Sequence, residues 1–199
     1  MRIDTTDLPG VLLLRPEPFR DHRGFFTRTF DATVFDEYLA KDPTAPNIRA
    51  SDFVQDSQSR SLRGVVRGMH GRSGAGEAKL VRCAHGAVHD VLVDIRCGST
   101  TFGRSQAFLL DDVEFTHLFV PPGFLHGFQA LAEVNDVCYR IDRPHDPHQD
   151  LAVAHDDPDL EIAWPLPVTT ISSRDAAAGS WKELSAALAA SAKPADLRR

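Results

Sequence analysis

Two stretches of this 199-residue chain gather the side chains that move protons or hold anions. Between Gln55 and Lys79, Arg67-Gly-Met-His70 enters a glycine-rich loop, which puts a guanidinium and an imidazole near each other at the end of a strand. Between Val120 and Phe128, Pro121-x-Gly123-x-x-His126 places a second histidine three residues after a Pro-Pro-Gly sequence. Imidazole exchanges a proton near neutral pH, and the planar fork of arginine suits phosphate oxygens. Zinc or iron takes three or four suitable ligands. Two histidines fall short of that, so neither a metal nor any other cofactor is expected.

The elements that must carry these residues are mostly short strands. Apolar or alternating runs at Val11–Leu14, Phe25–Phe30, Val65–Val66, Leu80–Cys83, Val88–Ile95, Gln106–Leu110, Thr116–Val120 and Val137–Ile141 are separated by Gly, Pro, Asp and Ser, the pattern of a sandwich or barrel. In Val88–Arg96 one face carries His89, Val91, Val93 and Ile95, and the other carries Val88, Asp90, Leu92, Asp94 and Arg96. A strand with one apolar and one mixed face suits a barrel with a polar lumen. Helices are expected from Thr33 to Ala40, with Asp31 as N-cap, and in the alanine-rich tail after Gly179, which frays at Lys193-Pro194. Lys41 to Asn47, with two prolines, reads as a loop.

Bulk properties narrow the class. The length fits one domain, here residues 1–178, with 179–199 as a helical tail. Twenty-two Lys+Arg against 28 Asp+Glu give a net charge of −6, which disfavours nucleic acid as a partner. The three cysteines show no CxxC spacing, so neither a disulfide framework nor a zinc site is expected. An acidic start and the shortness of Val11–Leu14 speak against an export signal or a membrane span, and the chain is expected to be cytoplasmic.

Nine segments then follow in one order: Asp21-x-Arg-Gly-Phe-Phe, Gln55-Asp, Arg67-Gly-Met-His70, Lys79-Leu-Val, Val88-x-Asp-Val-x-Val-Asp-Ile-Arg96, Ser99-x-Thr-Phe-Gly103, Pro121-Pro-Gly-Phe-x-His-Gly-Phe128, Asp157-Pro-Asp-Leu-x-Ile-x-Trp-Pro165 and Ser173-Arg-Asp175. Together they resemble the dTDP-4-dehydrorhamnose 3,5-epimerases of deoxysugar nucleotide biosynthesis. The resemblance implies a mainly β, cupin-like antiparallel barrel (a jelly roll) with a few short helices. It also implies a homodimer, no metal, and a nucleotide-linked 4-keto-6-deoxyhexose as substrate.

The resemblance further implies roles. Epimerisation beside a ketone needs a base, a group that stabilises the enolate oxygen, and a proton donor on the opposite face of the ring. His70 matches the base and Asp175 the carboxylate that orients it. Tyr139, one of only two tyrosines, matches the acid, and Lys79, one of four lysines, the donor to the C4 oxygen. Arg23, Gln55, Arg67, His126 and Arg174 match positions that hold sugar and diphosphate. At three further ligand positions this chain departs from the family: Arg28 and Asp150 stand where glutamate is usual, and Ser57 where asparagine is usual. The alternatives are a mono-epimerase acting at C3 or C5 only, on a different nucleotide-sugar, and a non-catalytic sugar-binding cupin. The latter predicts loss of a proton carrier, and none is lost.

Overall fold

The mixed face of the Val88–Arg96 strand points inward, between two antiparallel sheets. The computed structural model describes residues 1–42 and 45–192. With strands numbered along the chain, one sheet runs β1 (Arg2–Thr5), β2 (Leu12–Arg15), β10 (His117–Val120), β7 (Lys79–His85), β12 (Val134–Ile141) and β5 (Gln55–Leu62). The other runs β13 (Asp150–Ala152), β6 (Val66–Arg72), β11 (Phe124–Ala130), β8 (Ala87–Asp94) and β9 (Ser105–Asp111). A separate hairpin joins β3 (Phe19–Asp21) to β4 (Gly24–Phe26). This is the mainly β, cupin-like architecture expected from the sequence.

Side-chain alternation divides each sheet between a core and an outer layer. Val81, Leu118 and Val137 from the first sheet meet Val88, Leu92 and Phe128 from the second. Removing each such side chain from water contributes about 1.5–3 kcal/mol. Outside the first sheet lies α1 (Ala32–Leu39), whose Phe35 and Leu39 pack on Leu12, Leu14, Leu80 and Phe119. Asp31 caps it as expected, accepting from the Thr33 and Val34 amides. Outside the second sheet lies α3 (Trp181–Ala192), whose Trp181, Leu184 and Leu188 pack on the Val91, Val93 and Ile95 face of β8. Among the described residues no helix is long and apolar enough to cross a membrane. The expected fraying at Lys193-Pro194 and part of the Lys41–Asn47 loop lie outside the described residues.

Three strands differ from the sequence expectation. The run at Phe25–Phe30 is a strand only as far as Phe26, because its hairpin stands apart from both sheets and Phe19, Phe25 and Phe26 remain exposed. β5, reading Gln-Asp-Ser-Gln-Ser-Arg-Ser-Leu, carries no apolar alternation because it is an edge strand whose inward positions line a polar cleft. β11 is buried along its whole length, so it too lacks an alternating pattern.

Candidate active site

At one end of the sandwich the inward positions change from aliphatic to polar, and the sheets open on a cleft of about 750 Å³. Strand register sets which side chains share it. His70 on β6 pairs with His126 on β11, so both imidazoles project from the same sheet into the same space. On the facing sheet Tyr139 of β12 pairs with Ser57 of β5 and Val81 of β7. Lys79 enters at the start of β7, two residues before Val81 and therefore on the inner face.

The base-like group is assembled from distant parts of the chain. Ser172 caps the short helix α2 (Ser173–Ala176) by accepting from the Asp175 amide, and this turn delivers Asp175 to the cleft wall. His70 Nε2 lies 2.7 Å from Asp175 Oδ1. Asp175 Oδ2 accepts from the Gly68 amide at 3.3 Å. Gly68 has φ +136°, and a Cβ there would sit 2.5 Å from the Gly127 Cα on β11, so only glycine lets these strands approach. Burial lowers the His70 pKa below its ordinary value of 6.5, against the opposing pull of Asp175. Burial alone would raise the Asp175 carboxyl, but hydrogen bonds from His70, Gly68 and Ser172 outweigh it and hold the group ionised. A proton placed on Nε2 and donated to Asp175 leaves Nδ1 with a free lone pair at neutral pH.

Across the cleft the Tyr139 hydroxyl lies 3.1 Å from Ser59 Oγ. Burial pushes the phenol well above its ordinary pKa, only partly offset by Ser59, so it keeps its proton. His126 Nε2 is 2.8 Å from the buried Asp90 Oδ2, and its ring stands edge-on to Tyr139 at 6.3 Å. Lys79 Nζ is 2.9 Å from Glu77 Oε1. Arg67 is anchored by bonds from Nε to Ser61 Oγ and from Nη2 to the Arg60 carbonyl.

The cleft thus brings together His70, Lys79, Tyr139, Asp175, Ser57, Arg67, His126 and Arg174 of the residues marked in the sequence. The other four lie elsewhere in a single chain. Gln55 opens β5 opposite Ile141 and does not line the cleft. Arg23 pairs with Asp21 on the exposed hairpin, and Arg28 with Asp31 at the α1 N-cap. Asp150 accepts from Arg174 at 2.8 Å and stands behind it. Sequence reasoning passed over Ser59, Glu77 and Ser172 as functional residues. It placed Asp90 on the mixed strand face without a partner, and only the β8–β11 register gives it His126. Among the described residues, no group of three or more His, Cys, Asp or Glu side chains is placed to hold a metal ion.

A cupin-like sandwich whose cleft holds an imidazole–carboxylate pair, a phenol on the facing sheet and an ammonium has the groups that an isomerase working by proton transfer at carbon needs. The family model described as dTDP-4-dehydrorhamnose 3,5-epimerase matches residues 5–183, and the chain belongs to that family. The dTDP-4-dehydrorhamnose 3,5-epimerase of Methanothermobacter thermautotrophicus is 37% identical over 186 residues, covering 92% of this chain and 94% of that protein. An epimerase of Mycobacterium tuberculosis superposes with a TM-score of 0.86 at 34% identity, covering 94% and 92% of the two chains. The dTDP-6-deoxy-D-glucose-3,5-epimerase of Legionella pneumophila, solved with dTDP-4-keto-L-rhamnose, gives a TM-score of 0.84 at 36% identity, covering 94% and 96%.

Proposed function

We propose that this chain epimerises a dTDP-linked 4-keto-6-deoxyhexose at C3 and C5 in deoxysugar biosynthesis. The observation that carries the reading is the origin of His70 and Tyr139 on facing sheets of one cleft, with Lys79 beside them. A sugar ring between the sheets offers one face to the imidazole and the other to the phenol.

In each inversion His70 Nδ1 removes the proton on the carbon next to the ketone, and the C–H electron pair moves into the enolate. Asp175 steadies the imidazolium that results. Lys79 donates to the enolate oxygen at C4, and one such donor is typically worth 10²–10³ in rate. The Tyr139 hydroxyl then gives its proton to the carbon from the opposite face, and the enolate collapses to the ketone with inverted configuration. Solvent returns a proton to the phenolate and removes one from the imidazolium. Arg67 and Arg174 suit the diphosphate, to which a guanidinium offers two parallel donors. His126, fixed by Asp90, suits a sugar hydroxyl.

Incubation with a dTDP-linked 4-keto-6-deoxyhexose in heavy water tests this directly. Deuterium is expected at both C3 and C5 of the product. Label at one carbon alone would make the protein a mono-epimerase, and label at neither would end the assignment.

A homodimer is the assembly this reading expects. Its support is the β3–β4 hairpin, which carries Arg23 and the exposed Phe19, Phe25 and Phe26 away from the chain's own cleft. Contact with a second copy would bury those rings and bring Arg23 and Arg28 toward a substrate. Sedimentation should give twice the chain mass, and Phe26→Ser should shift the protein toward the monomer. A wild-type monomer at micromolar concentration would remove the homodimer and the ligand roles of both arginines.

A further inference from the structure

We propose that Glu77 is a positioning residue for Lys79, fixed in turn by a chain of alternating charges that runs behind the cleft to Arg174. The inference rests on the role assigned to Lys79 above. Lys79 Nζ is 2.9 Å from Glu77 Oε1, and Glu77 Oε2 is 3.0 Å from Arg72 Nε, near enough to attract although misaligned for a hydrogen bond. Arg72 Nη2 is 4.0 Å from Asp150 Oδ1, and Asp150 Oδ2 accepts from Arg174 Nη2 at 2.8 Å. Lys79 and Arg174, the two ends, line the cleft, whereas Glu77, Arg72 and Asp150 between them do not.

The middle of the chain is withdrawn from water. The side chains of Arg72, Glu77 and Asp150 are 4%, 10% and 17% exposed, so little solvent screens their mutual attraction. Arg72 is held further by donating from Nη1 to the Pro144 carbonyl at 2.8 Å, and its Nη2 lies 3.2 Å from His145 Nδ1. Asp142 accepts from the amide of Ala78, which fixes the backbone between Glu77 and Lys79. The segment that delivers the ammonium is therefore fixed through both main chain and side chain.

Lysine needs such help. Its flexible four-carbon stem has many rotamers, and a mobile ammonium is a poor oxyanion donor. Three cations alternate with two carboxylates along the chain, which leaves one surplus positive charge shared between ends that both face the cleft. A substrate anion arriving there completes the alternation. Asp150, marked from the sequence as a ligand contact, stands in this geometry as the anchor that joins Arg72 to Arg174.

A double-mutant cycle on turnover of a dTDP-linked 4-keto-6-deoxyhexose tests the proposal. Lys79→Ala should lower kcat by about 10²–10³. Glu77→Gln should lower kcat roughly tenfold, the scale of one lost charge-assisted hydrogen bond, with KM within about twofold of wild type. In the Lys79→Ala background Glu77→Gln should have no further effect. The Arg72→Gln/Glu77→Gln pair removes both buried charges together, keeps the test available if Glu77→Gln alone unfolds, and should show the same loss. An unchanged kcat, or an equal fall with and without Lys79, would overturn the proposal. Full activity of Lys79→Ala would instead remove the role given to Lys79, and the proposal with it.

Discussion

His70→Ala will abolish wash-in of solvent deuterium and lower turnover by about 10³–10⁴, the upper part of the range for a positioned general base. No other group in the cleft can replace it. His126 is engaged by the buried Asp90 through Nε2, and its ring packs edge-on to Tyr139. Tyr139 holds its proton, because burial disfavours the phenolate. Asp175→Asn should cost less, since the imidazole survives but loses the carboxylate that fixes its tautomer and stabilises its charged form. The pH dependence has a definite sign. The free imidazole is the active form, and burial sets its pKa below 6.5, so kcat/KM should hold through pH 6.5 and fall only at more acidic values. The same shift contributes stability that is present above about pH 6.5 and is lost as pH drops toward the folded value, because the unfolded chain binds the proton more readily. An acid limb of kcat/KM lying above 6.5 would show that His70 is not the group titrating.

Tyr139→Phe will separate proton removal from inversion. With His70, Asp175 and Lys79 intact, the enolate still forms and the substrate carbon still exchanges with solvent. Delivery from the opposite face is lost, and epimerised product should form about 10²–10³ times more slowly. Mass spectrometry of recovered substrate beside product formation reads both steps in one experiment. The phenylalanine ring keeps the packing against the buried core and removes only the hydroxyl 3.1 Å from Ser59, so a folding defect would not explain such a split. Equal loss of exchange and of product would mean that Tyr139 acts before or during proton removal. Full retention of both would move the acid to another residue.

Much of the fold was legible because most strands bury one face and expose the other. Val88–Arg96, Gln106–Leu110 and Val137–Ile141 alternate, and the last two lie within strands while the first is a strand as far as Asp94. Asp31 followed by spaced apolar residues is a capped helix. The pattern failed where burial was not one-sided: β11 is covered on both faces, and β5 lines a wet cleft at a sheet edge. Beyond Phe26 the missing cause is different. That stretch has the composition of a strand but no neighbouring strand to pair with.

The amino-acid sequence by itself determined the chemical inventory: two histidines, one scarce lysine, one of two tyrosines, and an ordered set of segments shared with one epimerase family. Only the tertiary structure decided how those groups meet. Asp175 reaches His70 across 105 residues of chain, Glu77 takes the ammonium of Lys79, and Asp150 turns to Arg174 instead of the cleft. Side-chain identity is a local property, whereas opposition across a cleft depends on the register of strands in two separate sheets. A shift of one residue in β6 would turn His70 away from the cleft, and one in β12 would do the same to Tyr139.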